Sequence, residues 1–501
     1  MKKFKLLLAA FVATLFAFVG GNAFADEYTI TINNVSKDHT YEAYQIFGGD
    51  LYKEDGAKTP TLSNIYWGSG VNEFTYDGES DAAKIAEKLS GQAFDSENAN
   101  DFAKEASKHL ATVAKSQTST GDTVVLKVSK PGYYLVKDKD GSQDSKNGAY
   151  TRFMLQVTGA ESVEVKNDVP TVQKKVKETN DSTGETTDWQ DAADYDMGDT
   201  VPFQLKATLP IHIDDYEHYY VEFTDTLSAG LTFDKITLVK ADNTILKEDQ
   251  YQVSKTENQD GTTTLSVIIT DVKAVSGISK DDKEVTVEYN ATLNDKAVLG
   301  SAGNPNSVEL TYSNNPNATG DGTSKPADTG KTPKDTVKVF TYQTIINKLN
   351  ENKEALAGAG FTLSKKDKDG NWNTVKAIAA GEATRFEFKG LDAGDYKLEE
   401  TTTPDGYNTI KPIEFTIDAD YDKEADDPQL TNLSGDVTSG VAEFDANKAD
   451  GSLTAGIVNR KGSLLPSTGG MGTTILYVVG SILVLVAAVL LITKKRMDAA
   501  K

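Results

Sequence analysis

The sequence has 501 residues, with 52 Lys and Arg against 75 Asp and Glu, a formal charge of −23, and no cysteine. That charge excludes a chain built to grip nucleic acid, whose phosphates call for basic patches. The missing cysteine excludes disulfides, so any covalent reinforcement needs another chemistry.

This length predicts about three or four domains, each able to bury its own core. The chain opens with Lys2, Lys3 and Lys5, an apolar run from Leu6 to Val19 and the small-x-small pattern Ala23-Phe24-Ala25. Together these read as a secretory signal peptide over residues 1–25, cut after Ala25. Residues 26–168 begin with the alternating strand YTITI and end with the strand-like pieces DTVVLKV, GYYLVKD and TRFMLQV. Between them, Ile85, Leu89, Phe102, Ala106, Leu110 and Val113 recur at helical spacing, which predicts a long helical insertion packed on a core. Lys137 and Asp138 read as ordinary strand-end charges.

Residues 169–343 hold the short alternating strands VPFQLKATL, YYVEFTDTL, TTTLSVIIT, KEVTVEYNATL and NSVELTYSN, separated by Gly, Asn, Asp and Pro turns. That is the pattern of a β-sandwich. Residues 314–336 are polar enough to predict a loop or linker, and VKVFTY is assigned to the end of this domain. Residues 344–461 read as a second sandwich, from TIINKL and AGFTLSKK through GDYKLEE to TAGIVNR. Within 462–501, Thr473 to Thr493 carry no charge and are long enough to span a bilayer as a helix. Lys494-Lys495-Arg496 then form a positive-inside flank, which leaves the folded chain outside the cell.

Side chains two apart on a strand share a face. By that parity Lys174 lies between Val172 and Val176, and Asp225 lies on the apolar stripe of Val221, Phe223 and Leu227. Asn306 and Asn314 are both in phase with Val308, Leu310 and Tyr312. In the third domain Ile346 is in phase with Lys348, Tyr396 and Leu398 with Glu400, and Leu453, Ala455 and Ile457 with Asn459. Each of these two domains thus offers a lysine, an acid and an asparagine to its core. The plain reading is a buried salt bridge. The sharper one is chemical: a desolvated amine loses its proton and a desolvated carboxyl keeps one, so the amine can attack the asparagine amide and expel ammonia. The product is an intramolecular Lys–Asn isopeptide bond.

At these residues the sequence resembles a family. YKLEETTTPDGY (396–407) resembles the E-box of Gram-positive pilin and collagen-adhesin B-type domains, INKLNENKEALAGAGFTL resembles their first strands, and GIVNRKGSLLPSTGG resembles their last strand running into a sorting signal. The resemblance implies immunoglobulin-like β-sandwiches, with Lys348 and Asn459 as bond partners and Glu400 as the acid that promotes the bond. Thr403 departs from the pattern, standing where the family commonly has alanine. DVPTVQKKVK, FTDTLSAGLTF and GNPNSVELTYSNNP are similar to the second domain of LPXTG-anchored major pilins, which implies Lys174 and the acid Asp225, with Asn306 or Asn314 as partner. HTYEAYQIFGGDL and PGYYLVKD resemble the N-terminal domain of the same pilins, but Lys137 occupies the place of the acid, so no third bond is expected there.

Leu465, Pro466, Ser467, Thr468 and Gly469 fit the LPXTG pattern. The resemblance implies cleavage between Thr468 and Gly469 by a sortase and transfer of the threonine carbonyl to an amine. Family shafts use a lysine near the end of the first domain, often in a YPKN context; here SVEVKNDVP keeps Lys166 and Asn167 without the Tyr-Pro. The expected function is therefore the backbone subunit of a sortase-assembled pilus, linked through Thr468 to Lys166 of the next identical subunit. Its partners would be ancillary pilins, peptidoglycan and a possible host-surface ligand. The alternative is a monomeric wall-anchored adhesin or an ancillary pilin. The four histidines, His39, His109, His212 and His218, show no metal-ligand spacing and no nucleophile motif, so neither a cofactor nor an enzymatic activity beyond self-processing is expected.

Overall fold

The computed structural model describes residues 28–53, 60–90, 97–143, 146–148, 150–165, 169–275, 283–462 and 472–498. The signal peptide, Lys166 and the LPSTG motif lie outside them. Three successive pairs of β-sheets follow one another along the chain.

In the first pair, Thr40–Tyr52 lies between Thr61–Trp67 and Gly132–Asp138, with Arg152–Val157 beyond, and also pairs with Lys115–Thr118. A three-stranded sheet of Thr123–Val128, Tyr28–Asn33 and Ala160–Glu164 covers it. Among the described residues the helical insertion comprises two helices, Ala82–Leu89 and Glu97–Ala106. Asp81 caps the first, its carboxylate accepting from the Ala83 and Lys84 N–H groups. Ile85, Phe102 and Ala106 are buried as the spacing predicts, and Phe102 stacks on Phe47 at 5.6 Å. Val113 is a correction: it is 40% exposed, because the chain has left the helix and formed a β-bridge between Leu110 and Val71. Lys137 and Asp138 are a second correction. Register with Glu42 and Tyr41 carries both inside, where Lys137 Nζ meets Asp140 Oδ1 at 2.5 Å and Asp138 accepts the Thr151 N–H at 2.7 Å.

The middle domain packs a five-stranded sheet against a seven-stranded one. The smaller runs Thr244–Ile245, Leu231–Ala241, Glu284–Leu293, Thr200–Thr208, Val172–Val176. The larger has Val221–Leu227 at its centre, between Asn304–Ser313 and Thr263–Ile269. Strict alternation, as in the buried Val221, Phe223, Asp225 and Leu227 with half-buried residues between, drives this architecture: one face of each strand enters the core and the other meets water. Asp335–Phe340 belongs to this larger sheet. Residues 314–336 are not a free linker. They contain the short strand Thr329–Lys331, bonded to the edge of Asn304–Ser313, and Gly330 lies so close to the Tyr312 ring that a Cβ there would come within 2.7 Å of it. The first domain docks on this segment, with the Tyr150 N–H on the Asn314 carbonyl at 2.8 Å and Arg152 on Asn317 at 3.1 Å.

The third domain starts at Tyr342–Leu349, two residues before the boundary read at 344. That strand pairs in parallel with Ser452–Val458 and antiparallel with Arg385–Leu391. The opposing sheet orders Trp372–Ile378, Gly360–Lys366, Gly394–Thr402, Ile413–Tyr421 and Leu430–Ser439. The helix Gly472–Asp498 follows, and its segment Leu476–Lys495 is long and apolar enough to cross a membrane.

Candidate functional site: two buried groups of lysine, acid and asparagine

The third domain assembles its group from both sheets. The parallel register sets Lys348 against Ile457 and so brings Asn459, just past the end of the last strand, over the lysine. Glu400 enters from the opposing sheet on Gly394–Thr402. Lys348 Nζ contacts Asn459 Oδ1 at 2.6 Å and the Ile457 carbonyl at 3.1 Å. Asn459 Nδ2 donates to both Glu400 oxygens, at 2.8 and 3.1 Å, while Lys348 Nζ stands 3.9 Å from Oε1. The Ile410 N–H fixes Glu400 Oε2 at 3.1 Å. Thr403, the family departure, lies 3.4 Å from the same oxygen and bonds Thr409 at 2.7 Å. All three side chains are closed to solvent. Burial pulls the Lys348 amine down to about 8, only partly offset by Glu400.

The middle domain uses a different geometry. Lys174 comes from the edge of the five-stranded sheet, whereas Asp225 and Asn306 come from neighbouring strands of the seven-stranded one, with Asn306 opposite Leu227. Lys174 Nζ meets both Asp225 oxygens at 2.7 Å and the Tyr289 hydroxyl at 3.0 Å. Tyr289 donates a short hydrogen bond to Asp225 Oδ2 and accepts one from Asn306 Nδ2 at 2.7 Å. Lys174, Asp225, Tyr289 and Asn306 are all fully buried. Burial lowers the Lys174 amine, against the pull of Asp225. Of the two asparagines in phase, Asn306 joins this group. Asn314 lies at the other end of the same strand, where its Nδ2 donates to the Gln143 carbonyl of the first domain at 2.9 Å. Tyr289 is the residue that parity reasoning missed, because in KEVTVEYNATL it reads as one more core aromatic.

Another buried lysine has the opposite character. Lys365 Nζ reaches Asp181 at 2.8 Å, Asp196 at 2.9 Å and Asp392 at the junction of the middle and third domains. With Asp199, these acids form a carboxylate cluster that sequence spacing did not reveal, and Lys365 is its cation. The surrounding carboxylates hold the lysine's pKa above its ordinary value, so it stays charged and is no nucleophile. Nearby, burial and Glu178 push Asp194 up to about 7.

The histidines are structural partners where described. His39 pairs with Asp138 at 3.1 Å, His218 with Asp271 at 2.7 Å, and His109 stacks on Phe74 at 4.6 Å. The His212 side chain lies outside the described residues. The same holds for Lys166 and for Leu465, Pro466, Ser467, Thr468 and Gly469. Their described neighbours are anchored: the Val165 N–H donates to the Asn33 carbonyl at 3.1 Å, and the Asn408 N–H donates to the Arg460 carbonyl at 3.0 Å.

Comparison with known proteins places these domains. Residues 197–316 match the family described as Gram-positive pilin backbone subunit 2, Cna-B-like domain, and residues 343–429 match the prealbumin-like fold domain. The trypsin-resistant surface T6 protein of Streptococcus pyogenes serotype M6 is 25% identical over 393 residues, covering 66% of this chain and 70% of that protein. The solved T6 backbone pilin of serotype M6 Streptococcus pyogenes, described as a modular three-domain structure, shares the fold. It has a TM-score of 0.51 and 16% identity, over 88% of this chain and 100% of that one. The full-length major pilin SpaD of Corynebacterium diphtheriae aligns at a TM-score of 0.48 and 17% identity, over 88% of this chain and 99% of that one.

Proposed function

We propose that this chain is a Gram-positive backbone pilin, a covalently polymerised structural subunit whose middle and third domains each close an internal Lys–Asn isopeptide bond; the matches to the Cna-B-like and prealbumin-like domain families support this reading. The observation that carries the covalent reading is the third-domain group, in which one asparagine amide is held between a lysine amine of lowered pKa and both oxygens of a glutamate. In the reaction the Lys348 amine attacks Cγ of Asn459, the bond from Cγ to Nδ2 breaks, and ammonia leaves. One proton passes from Nζ to Nδ2, and Glu400, which already touches Nδ2, carries it. In the middle domain the equivalent bond joins Lys174 to Asn306.

Only the neutral amine attacks, which fixes the pH dependence. In Glu400→Gln, where the reaction is slow enough to follow, the rate of ammonia loss is expected to rise about tenfold per pH unit and then level off at or below pH 8. Removing the carboxylate removes what holds the lysine's pKa up, so the break cannot move higher. Mass spectrometry of freshly refolded chains across pH 5 to 10, a range set about the ordinary lysine and carboxyl values, measures this; a flat profile would contradict amine attack.

Between subunits, a sortase cleaves Thr468 from Gly469 and transfers the threonine carbonyl to Lys166 of the next copy, and the last subunit passes to peptidoglycan. Ancillary pilins and any host-surface ligand join this shaft. A denaturing gel of wall extracts tests the assembly. Wild-type cells should give a high-mass ladder that Lys166→Ala collapses to a single band. A ladder surviving in Lys166→Ala sinks that lysine, and a single band from wild-type cells would identify the monomeric adhesin instead.

A further inference from the structure

The two cross-link groups solve one chemical problem with different parts. In the third domain the acid touches the amide that must lose ammonia. In the middle domain both Asp225 oxygens are taken up by Lys174 Nζ, and the path from acid to amide runs through the Tyr289 hydroxyl. The cause is side-chain length: aspartate is one methylene shorter than glutamate, and Asp225 reaches the lysine but leaves a gap to Asn306. Tyr289 fills it from the opposite sheet. Its ring is stacked on Phe203 at 5.3 Å and packed by Phe233 at 5.8 Å, so the hydroxyl is held in one place.

The geometry points to Tyr289 as a catalytic residue of the middle-domain cross-link, relaying a proton from Asp225 to the departing nitrogen of Asn306; this rests on the reading that Lys174 and Asn306 become joined. The balance is complete within the group. Lys174 gives a proton to Asp225 and its free amine forms the new bond to Cγ of Asn306. Asp225 passes the proton to the Tyr289 oxygen as the Tyr289 hydroxyl proton moves to Nδ2. The bond from Cγ to Nδ2 breaks, Asp225 takes the second proton that the joined Lys174 nitrogen must shed and passes it along the same path to the departing ammonia, and ammonium leaves, with Asp225 and Tyr289 restored. Burial and the neighbouring Asp225 hold the phenol well above its ordinary pKa, so it enters the reaction protonated, as a relay requires.

The test uses the full chain with Tyr289→Phe, which keeps the ring and its packing, and a second chain carrying 3-fluorotyrosine at 289, which keeps the hydroxyl but makes it more acidic. Peptide mapping after a timed interval from synthesis reads the Lys174–Asn306 and Lys348–Asn459 products separately. We expect Tyr289→Phe to slow the first at least tenfold while the second forms as in wild type, and fluorotyrosine to shift the rate of the first alone. Packing by itself would not respond to phenol acidity. Middle-domain bond formation at the wild-type rate in both chains overturns the relay. If Tyr289→Phe also loses the third-domain bond through misfolding, the fluorotyrosine chain decides. Absence of a Lys174–Asn306 peptide from the wild-type chain is a different result: it overturns the cross-link reading itself.

Discussion

Glu400→Ala is expected to restore the mass of one ammonia to the chain and to lower the stability of the third domain by about 5 kcal/mol or more. The two bond partners are 111 residues apart. A covalent tie across a loop of about 100 residues removes some 4.7 kcal/mol of chain entropy from the unfolded state, on the model that treats the effect as entropic. The substitution also strands the Ile410 N–H and Asn459 Nδ2, which now bond the carboxylate, at roughly 1–3 kcal/mol for each buried group left unpaired. Glu400→Gln separates the two contributions. It preserves the side chain's shape and most of its hydrogen bonding, so once unreacted chains are isolated the loss should shrink towards the entropic part. Intact mass combined with chemical denaturation measures both; a wild-type mass with no ammonia missing would leave only an ion pair to explain the site.

Strand alternation made much of this arrangement legible. Lys174, Asp225, Lys348, Glu400 and Asn459 all fall on buried faces because a period of two leaves no choice once the neighbouring Val, Leu and Tyr are inside. What alternation could not decide is which end of a strand faces the lysine. Asn306 and Asn314 are equally in phase on one strand, and the distinction comes from pairing across the sheet, which sets Asn306 against Leu227, two residues from Asp225. The same limit hid Tyr289, whose role depends on a hydroxyl reaching across two sheets. It also hid Lys365, an ordinary lysine in FTLSKK until Asp181 and Asp196 of the preceding domain close over it. Lys137 and Asp138 misled for a related reason: charges near the end of a strand look exposed unless a neighbour covers them, and here Thr40–Tyr52 and the Thr151 backbone do. Thr403 is the reverse case. The departure from alanine costs nothing visible, since its hydroxyl finds Thr409 and the edge of Glu400.

Replacing Lys174 and Asp225 together, as Lys174→Met with Asp225→Leu, separates a covalent bond from an ion pair more sharply than either single change. A buried ion pair exchanged for apolar residues of similar volume is commonly neutral or even stabilising, by roughly 1–4 kcal/mol, because neither charge then has to leave water. Asp225→Ala alone does not discriminate: it strands Lys174 among Phe203 and Tyr289, and an uncompensated buried charge costs about 3–5 kcal/mol whether or not a bond ever forms. In the double variant that penalty is absent. Asn306 still donates to the Tyr289 oxygen, and the one polar group newly left unpaired is the Tyr289 O–H, which loses Asp225 as its acceptor at roughly 1–3 kcal/mol. What remains is the loss of a tie closing a loop of more than 100 residues, about 5 kcal/mol. The expected result is therefore a destabilisation larger than the unpaired Tyr289 hydroxyl alone would cause in an uncross-linked core, read as a fall in the denaturation midpoint of the middle domain. A double variant within about 1 kcal/mol of wild type would place the whole contribution in the ion pair, on the scale expected for such a swap.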